Sequence, residues 1–110
     1  MAKHLILAFT DPAEGRDDDY NAFYNSTHTP EVVRSRGVVR GQRFKLSDGG
    51  MHEGPPHKYL AIYELEGDLD EIKAELAKDH AGRTPLTDAF DPHNNDWWFT
   101  AIGEPVEHTD

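Results

Sequence analysis

The sequence predicts one α+β domain with elements in the order β-α-β-β-α-β. Three observations carry that prediction. Apolar runs with the reach of strands recur at 4–9, 38–46, 58–65 and 97–102. Two segments between them, 17–28 and the stretch from Asp68 to Gly82, place apolar residues at three- and four-residue spacing instead. The chain has 110 residues with no internal repeat, linker or low-complexity tract, which is the size of a single domain. The domain therefore spans 1–110, with 103–110 as a polar tail.

The first strand, 4–9, is followed by a turn from Asp11-Pro12 to Gly15. In 17–28, Tyr20, Phe23, Tyr24, Thr27 and His28 fall on one helical face, which is aromatic and ends in an imidazole. Asp17, Asp18 and Asp19 occupy the first turn, where the helix dipole favours negative charge. Pro30 is expected to interrupt this helix, with a further turn running towards Ser35 and Gly37 closing it. In the second strand Val38, Arg40, Gln42, Phe44 and Leu46 share one face, and Val39, Gly41, Arg43 and Lys45 share the other. Both faces are mixed, so the pattern does not say which meets solvent. The glycines and prolines of 47–56 make a loop.

In the third strand Tyr59, Ala61, Tyr63 and Leu65 alternate with Leu60, Ile62 and Glu64, as in an internal strand covered on both sides. Asp68 followed by Glu71 reads as a capping box. Leu69, Ile72, Leu76 and Ala77 form a narrow apolar stripe before Gly82. Thr84-Pro85 opens a short turn holding Leu86, Ala89 and Phe90, and Asp91-Pro92 ends it before the last strand.

Charge narrows the partners. Eleven Lys and Arg against twenty-one Asp and Glu give a net charge of −10, which repels nucleic acid and anionic membranes. No apolar run approaches the roughly 18 residues of a membrane-crossing helix. With no cysteine, disulfides, thiolate chemistry and Cys-ligated metals are excluded, and a cytoplasmic protein is the expectation. Hydrophobic residues make up only 36 %, yet five Phe, two Trp and four Tyr are present, so some rings are expected against a partner chain or a ligand.

A β-α-β-β-α-β order is the ferredoxin-like split βαβ motif. Right-handed crossovers put both helices on one side of the antiparallel sheet. The bare side, carrying aromatic residues, is expected to pack against a second subunit as a homodimer. On Tyr24-Asn25-Ser26-Thr27-His28-Thr29-Pro30-Glu31, followed by Gly37-Val38-Val39-Arg40-Gly41-Gln42-Arg43-Phe44, the chain resembles the EthD-like proteins of the dimeric α+β barrel superfamily. The segment Tyr59-Leu60-Ala61-Ile62-Tyr63-Glu64 is similar as well, and the likeness runs over nearly the whole chain. It implies a dimeric barrel and places His28 in a pocket between helix and sheet. Relatives of that kind include polyketide cyclases, lactone isomerases, cofactor-free monooxygenases and haem proteins, so fold alone does not assign the reaction.

His28 is the first candidate for chemistry, because an imidazole exchanges protons near neutral pH and a helix C-terminus would favour its charged form. Tyr24 joins it as a candidate catalytic hydroxyl. Tyr20, Phe23, Arg43, Tyr59, Tyr63 and Trp97 are the candidate substrate-binding residues, supplying aromatic walls, hydroxyls and one cation that needs an anionic partner. His52, His57, His80 and His93 match no metal-ligand spacing. No phosphate-cradling glycine loop or nucleophile elbow is present.

The leading expectation is a cofactor-independent enzyme. His28 would move a proton on a small aromatic or polyketide-like carbonyl compound, in isomerisation, elimination or aldol-type cyclisation. A cofactor-free monooxygenase or haem-binding relative is the second reading. A non-catalytic small-molecule-binding dimer is the third.

Overall fold

The computed structural model describes residues 2–47 and 57–110. Strands β1 (Lys3–Thr10), β2 (Val38–Lys45), β3 (Tyr59–Glu66) and β4 (Asn95–Thr100) form one antiparallel sheet in the order β2-β3-β1-β4. The two central strands, β1 and β3, are those with apolar residues on both faces. The loop expected over 47–56 lies, from residue 48 onward, outside the described residues.

Helices α1 (Asp17–Phe23), α2 (Thr29–Val33) and α3 (Leu69–His80) cover one face of the sheet. Between α1 and α2 the backbone does not break as expected at Pro30. It runs through a π-helical stretch, Tyr24–His28, in which the Thr29 N–H reaches back five residues to the Tyr24 carbonyl. Pro30 then falls in the first turn of α2, directly after the π-helical stretch. Gly37 ends the segment at φ 95°, and a Cβ there would stand 2.7 Å from Ile72, so both the turn and the packing need glycine.

The Asp68 carboxylate accepts the Glu71 N–H at 3.0 Å and starts α3 as expected. The apolar stripe of α3 is narrower than its sequence suggests: Ile72 is buried, Leu76 packs on the core, and Ala77 is exposed. The last strand begins at Asn95 rather than Trp97 and ends at Thr100 rather than Ile102. Its length is set by β1, which pairs Phe9 with Asn95 and His4 with Thr100 and offers no further strand partner to Ile102.

Pairing registers sort every strand residue to one face. Ile6, Tyr63 and Trp98 align on the helix side, as do Ala8, Ala61 and Arg43. Leu7, Ile62, Trp97 and Gln42 align on the other side. A register irregularity between Val38 and Arg40 resets β2, so that Gly41 meets Tyr63 on the helix side. The core consists of Ile6, Tyr20, Tyr24, Val32, Tyr59, Ala61, Tyr63, Leu65, Ile72, Ala89 and Phe90, all packed between sheet and helices. Among the described residues no helix is long and apolar enough to cross a membrane.

Candidate functional site

The aromatic face of the 17–28 helix turns inward and meets β3. Tyr20 and Tyr24 are buried with ring centres 5.5 Å apart, and Tyr20 lies 5.1 Å from Tyr59. Phe90 enters from the 83–94 segment, 4.8 Å from Tyr20 and stacked at 5.6 Å on Tyr24. That segment is held down by backbone pairing to the turn after β1: Ala13 N–H bonds the Ala89 carbonyl and Asp91 N–H bonds the Asp11 carbonyl. Phe23 is half-buried and stands edge-on to Phe90.

Three of the tyrosine hydroxyls find partners, as polar atoms in a dry interior should. Tyr20 bonds Thr10, and the Tyr63 hydroxyl pairs with Thr29 at 3.3 Å. Tyr59 donates to the Asp17 carboxylate at 3.0 Å and accepts from Asn21. Burial drives the phenols of Tyr20, Tyr63 and above all Tyr24 upward from the ordinary value, so they remain protonated and serve as donors. Asp17 is held below the carboxylate range first by Lys58 and then by Tyr59.

His28 sits one helical turn beyond Tyr24, whose ring meets it edge-on at 5.1 Å. The imidazole is half-buried, and its Nδ1 is fully enclosed with no hydrogen-bond partner among the described residues. Because the helical backbone continues to Val33, His28 does not sit at a helix C-terminus, and the expected stabilisation of its charged form is absent. Burial, followed by the Arg83 cation, lowers its pKa below the ordinary 6.5, with Glu31 opposing weakly. The ring is neutral at pH 7 and can accept a proton.

Arg43 crosses beneath the helix on the face opposite Arg40, which pairs with Glu64 at 2.8 Å. Its guanidinium lies 4.2 Å from the Tyr24 ring centre, 5.2 Å from Tyr20 and 5.5 Å from Tyr59. It donates to the side-chain carbonyls of Asn25 at 2.8 Å and Asn21 at 2.9 Å, while Nε is enclosed and unpaired among the described residues. A relay through Asn21 and Tyr59 connects this cation to Asp17.

The structure thus brings His28, Tyr24, Tyr20, Phe23, Arg43, Tyr59 and Tyr63 to one side of the sheet. It does not bring Trp97 there. Trp97 is 52 % exposed on the opposite face, and its neighbour Trp98 points to the helices with Lys73 over its ring. The strand register decides between the two indoles, and the dipeptide alone cannot. Sequence reasoning did not attach Arg83 or Glu31 to His28, since each reaches it only through the tertiary fold.

The architecture is a ferredoxin-like α+β fold, an antiparallel sheet with its helices on one face. No protein-family model matches the chain, and no curated protein does. Solved structures do. A MhuD variant with two manganese protoporphyrin IX bound per active site superposes at a TM-score of 0.65 with 14 % identity, over 94 % of this chain and 99 % of that one. A putative monooxygenase from Shewanella loihica superposes at 0.60 with 10 % identity, over the same shares. An ethyl tert-butyl ether d (EthD) family protein from Bacillus halodurans superposes at 0.53 with 16 % identity, over 96 % of this chain and all of that one. The likeness to EthD-like proteins read from the sequence is met by a solved EthD fold.

Proposed function

We propose that the protein is a cofactor-independent enzyme, working as a homodimer, in which neutral His28 accepts a proton from a small aromatic or polyketide-like carbonyl compound. One observation carries the proposal: Nδ1 of His28 is enclosed and without a partner among the described residues, and burial favours the uncharged ring. Tyr24, held protonated by burial, sets its ring edge-on against the imidazole at 5.1 Å. Phe90, stacked on Tyr24, and Arg83, whose charge acts on His28, both belong to the 83–90 segment that covers this ring pair.

The test is turnover of a panel of phenolic ketones and polyketide-like β-diketones, followed by mass spectrometry. His28→Gln should reduce kcat by about 10²–10⁴-fold while circular dichroism stays unchanged. Full activity in that variant removes His28 from the mechanism. Saturable binding with no product from any compound would leave the non-catalytic binding dimer as the answer.

The Shewanella loihica neighbour, described as a putative monooxygenase, supports a second reading in which the deprotonated substrate reacts with oxygen. Oxygen uptake with quinol substrates separates it from the first. The residues here do not fit a porphyrin: a flat macrocycle would need a slot between helices and sheet, and there Tyr20, Tyr24, Tyr59 and Phe90 already touch one another at 4.8–5.6 Å.

A further inference from the structure

The chain leaves α3 at His80 and turns at once along α2. The Gly82 and Arg83 N–H groups bond back to the Asp79 and His80 carbonyls at 3.0 and 3.2 Å, which tightens the exit. The Thr84 N–H then bonds the two Glu31 carboxylate oxygens at 3.1 and 3.2 Å, and its hydroxyl adds a third bond at 3.2 Å. The Arg83 guanidinium donates to Ser35 Oγ at 3.0 Å, and the Ser35 hydroxyl donates onward to the Asp79 carboxylate at 2.8 Å. Ser35 is only 4 % exposed. Its one hydrogen is committed to Asp79, so its oxygen is turned to accept from Arg83.

These bonds place Arg83 beside His28. His28, Glu31 and Ser35 follow one another at offsets of three and seven along helical backbone, which puts them on one side of α2. Residues 83 and 84 are tied to Glu31 and Ser35, so they run along that same side. Arg83 bonds an uncharged hydroxyl, its Nε is enclosed and unpaired, and it forms no ion pair among the described residues. A half-buried cation without a counter-ion in contact keeps its field. The other groups acting on His28 are Glu31 from α2, His80 from α3 and the Tyr24 ring edge-on to it, and the Arg83 charge outweighs those of Glu31 and His80.

We propose that Ser35 and Asp79 are positioning residues for the base of the proposed reaction: they clamp Arg83 against His28, and the cation fixed there keeps the imidazole free to accept a proton. The catalytic part of this inference rests on the reading of His28 as the base. The clamp itself does not, and it lies on the helix side of the sheet, away from the face left for a second copy.

The experiment is a pH titration of the His28 imidazole ¹⁵N resonances in the full-length protein, without substrate. Arg83→Gln should move the His28 midpoint to higher pH, and Arg83→Lys should keep it closer to the parent's. Ser35→Ala and Asp79→Ala should move it in the same direction by less. Asp79→Ala is the decisive variant, because loss of a carboxylate charge acting directly on His28 would move the midpoint down, whereas release of Arg83 moves it up. Lys78→Gln removes a cation from the same end of α3 without touching the clamp, and should leave the midpoint in place. His57, across the sheet, should titrate as in the parent throughout. The proposal falls if Arg83→Gln leaves His28 unmoved, if Ser35→Ala and Asp79→Ala have no effect or lower the midpoint, or if Lys78→Gln matches Arg83→Gln. For any compound the protein turns over, the acid limb of kcat/KM should shift upward in the same order of variants. If His28→Gln keeps full turnover, the catalytic reading fails while the titration still decides the clamp.

Discussion

On the helix side of the sheet the large rings include every tyrosine of the chain, beside Phe23, Phe90 and Trp98; on the other side they are phenylalanines and Trp97, with no phenol among them. Each of the chain's four tyrosines, Tyr20, Tyr24, Tyr59 and Tyr63, is buried against the helices. Across the sheet Trp97 and Phe99 are each 52 % exposed, Phe44 is 42 % exposed and Leu5 is 38 % exposed. A tyrosine buried within one chain can be given a hydroxyl partner by that chain, as Thr10, Thr29 and Asp17 show. The phenylalanines carry no polar atom and need only an apolar cover, which a second copy of the same face can supply, with the indole N–H of Trp97 left to find a partner at the rim. The covered face is therefore satisfied within the chain, while the open face finds no cover among the described residues.

Substitutions on the two faces should separate these roles. The largest loss of folding stability is expected for Tyr24→Ala, which empties the centre of the aromatic cluster: about 3–5 kcal/mol in urea unfolding. Gly41→Val comes next, at about 1–3 kcal/mol, since a Cβ there would stand 2.8 Å from Tyr63 and 3.1 Å from Val33. Asp68→Ala removes a local cap that belongs to neither face and should cost about 1 kcal/mol. The pair Trp97→Glu with Phe99→Glu should move the protomer's own stability by no more than about 0.5 kcal/mol. It should nevertheless convert dimer to monomer in sedimentation velocity, and an unchanged sedimentation coefficient would refute the assignment of the open face to self-association.

His28 gives a pH-dependent form of the comparison. In the unfolded chain its imidazole keeps the ordinary value near 6.5; in the folded chain burial and Arg83 hold it lower. Acidification below 6.5 therefore puts a proton on the unfolded chain that the folded chain does not yet accept. Stability contributed by this residue falls from there down to the folded value and then levels off. His28→Gln should flatten that part of the stability–pH curve relative to the parent. Parallel curves would mean that the imidazole is not buried as described.

Several features were legible locally. The alternation of Tyr59, Ala61 and Tyr63 marked a central strand, and Asp68 with Glu71 marked a helix start, because neighbours in sequence create both signals. The stripe of Tyr20, Tyr24 and His28 survived even though the backbone widens there into a π-helical turn. That turn was not legible: spacing of three and four fits either helix, and only the Thr29-to-Tyr24 hydrogen bond distinguishes them. Nor was the choice between Trp97 and Trp98, which rests on whether Trp97 pairs with Leu7 or Ile6.

By itself the sequence determined the order of strands and helices, the acidic surface and the inward aromatic face of the first helix, because each depends on residues a few positions apart. Only the tertiary structure decided which rings share a face, that burial and then Arg83 lower the His28 pKa, and that Asp11 meets His57 across 46 positions. Those outcomes depend on strand register and crossover packing, which act over separations that no local pattern records.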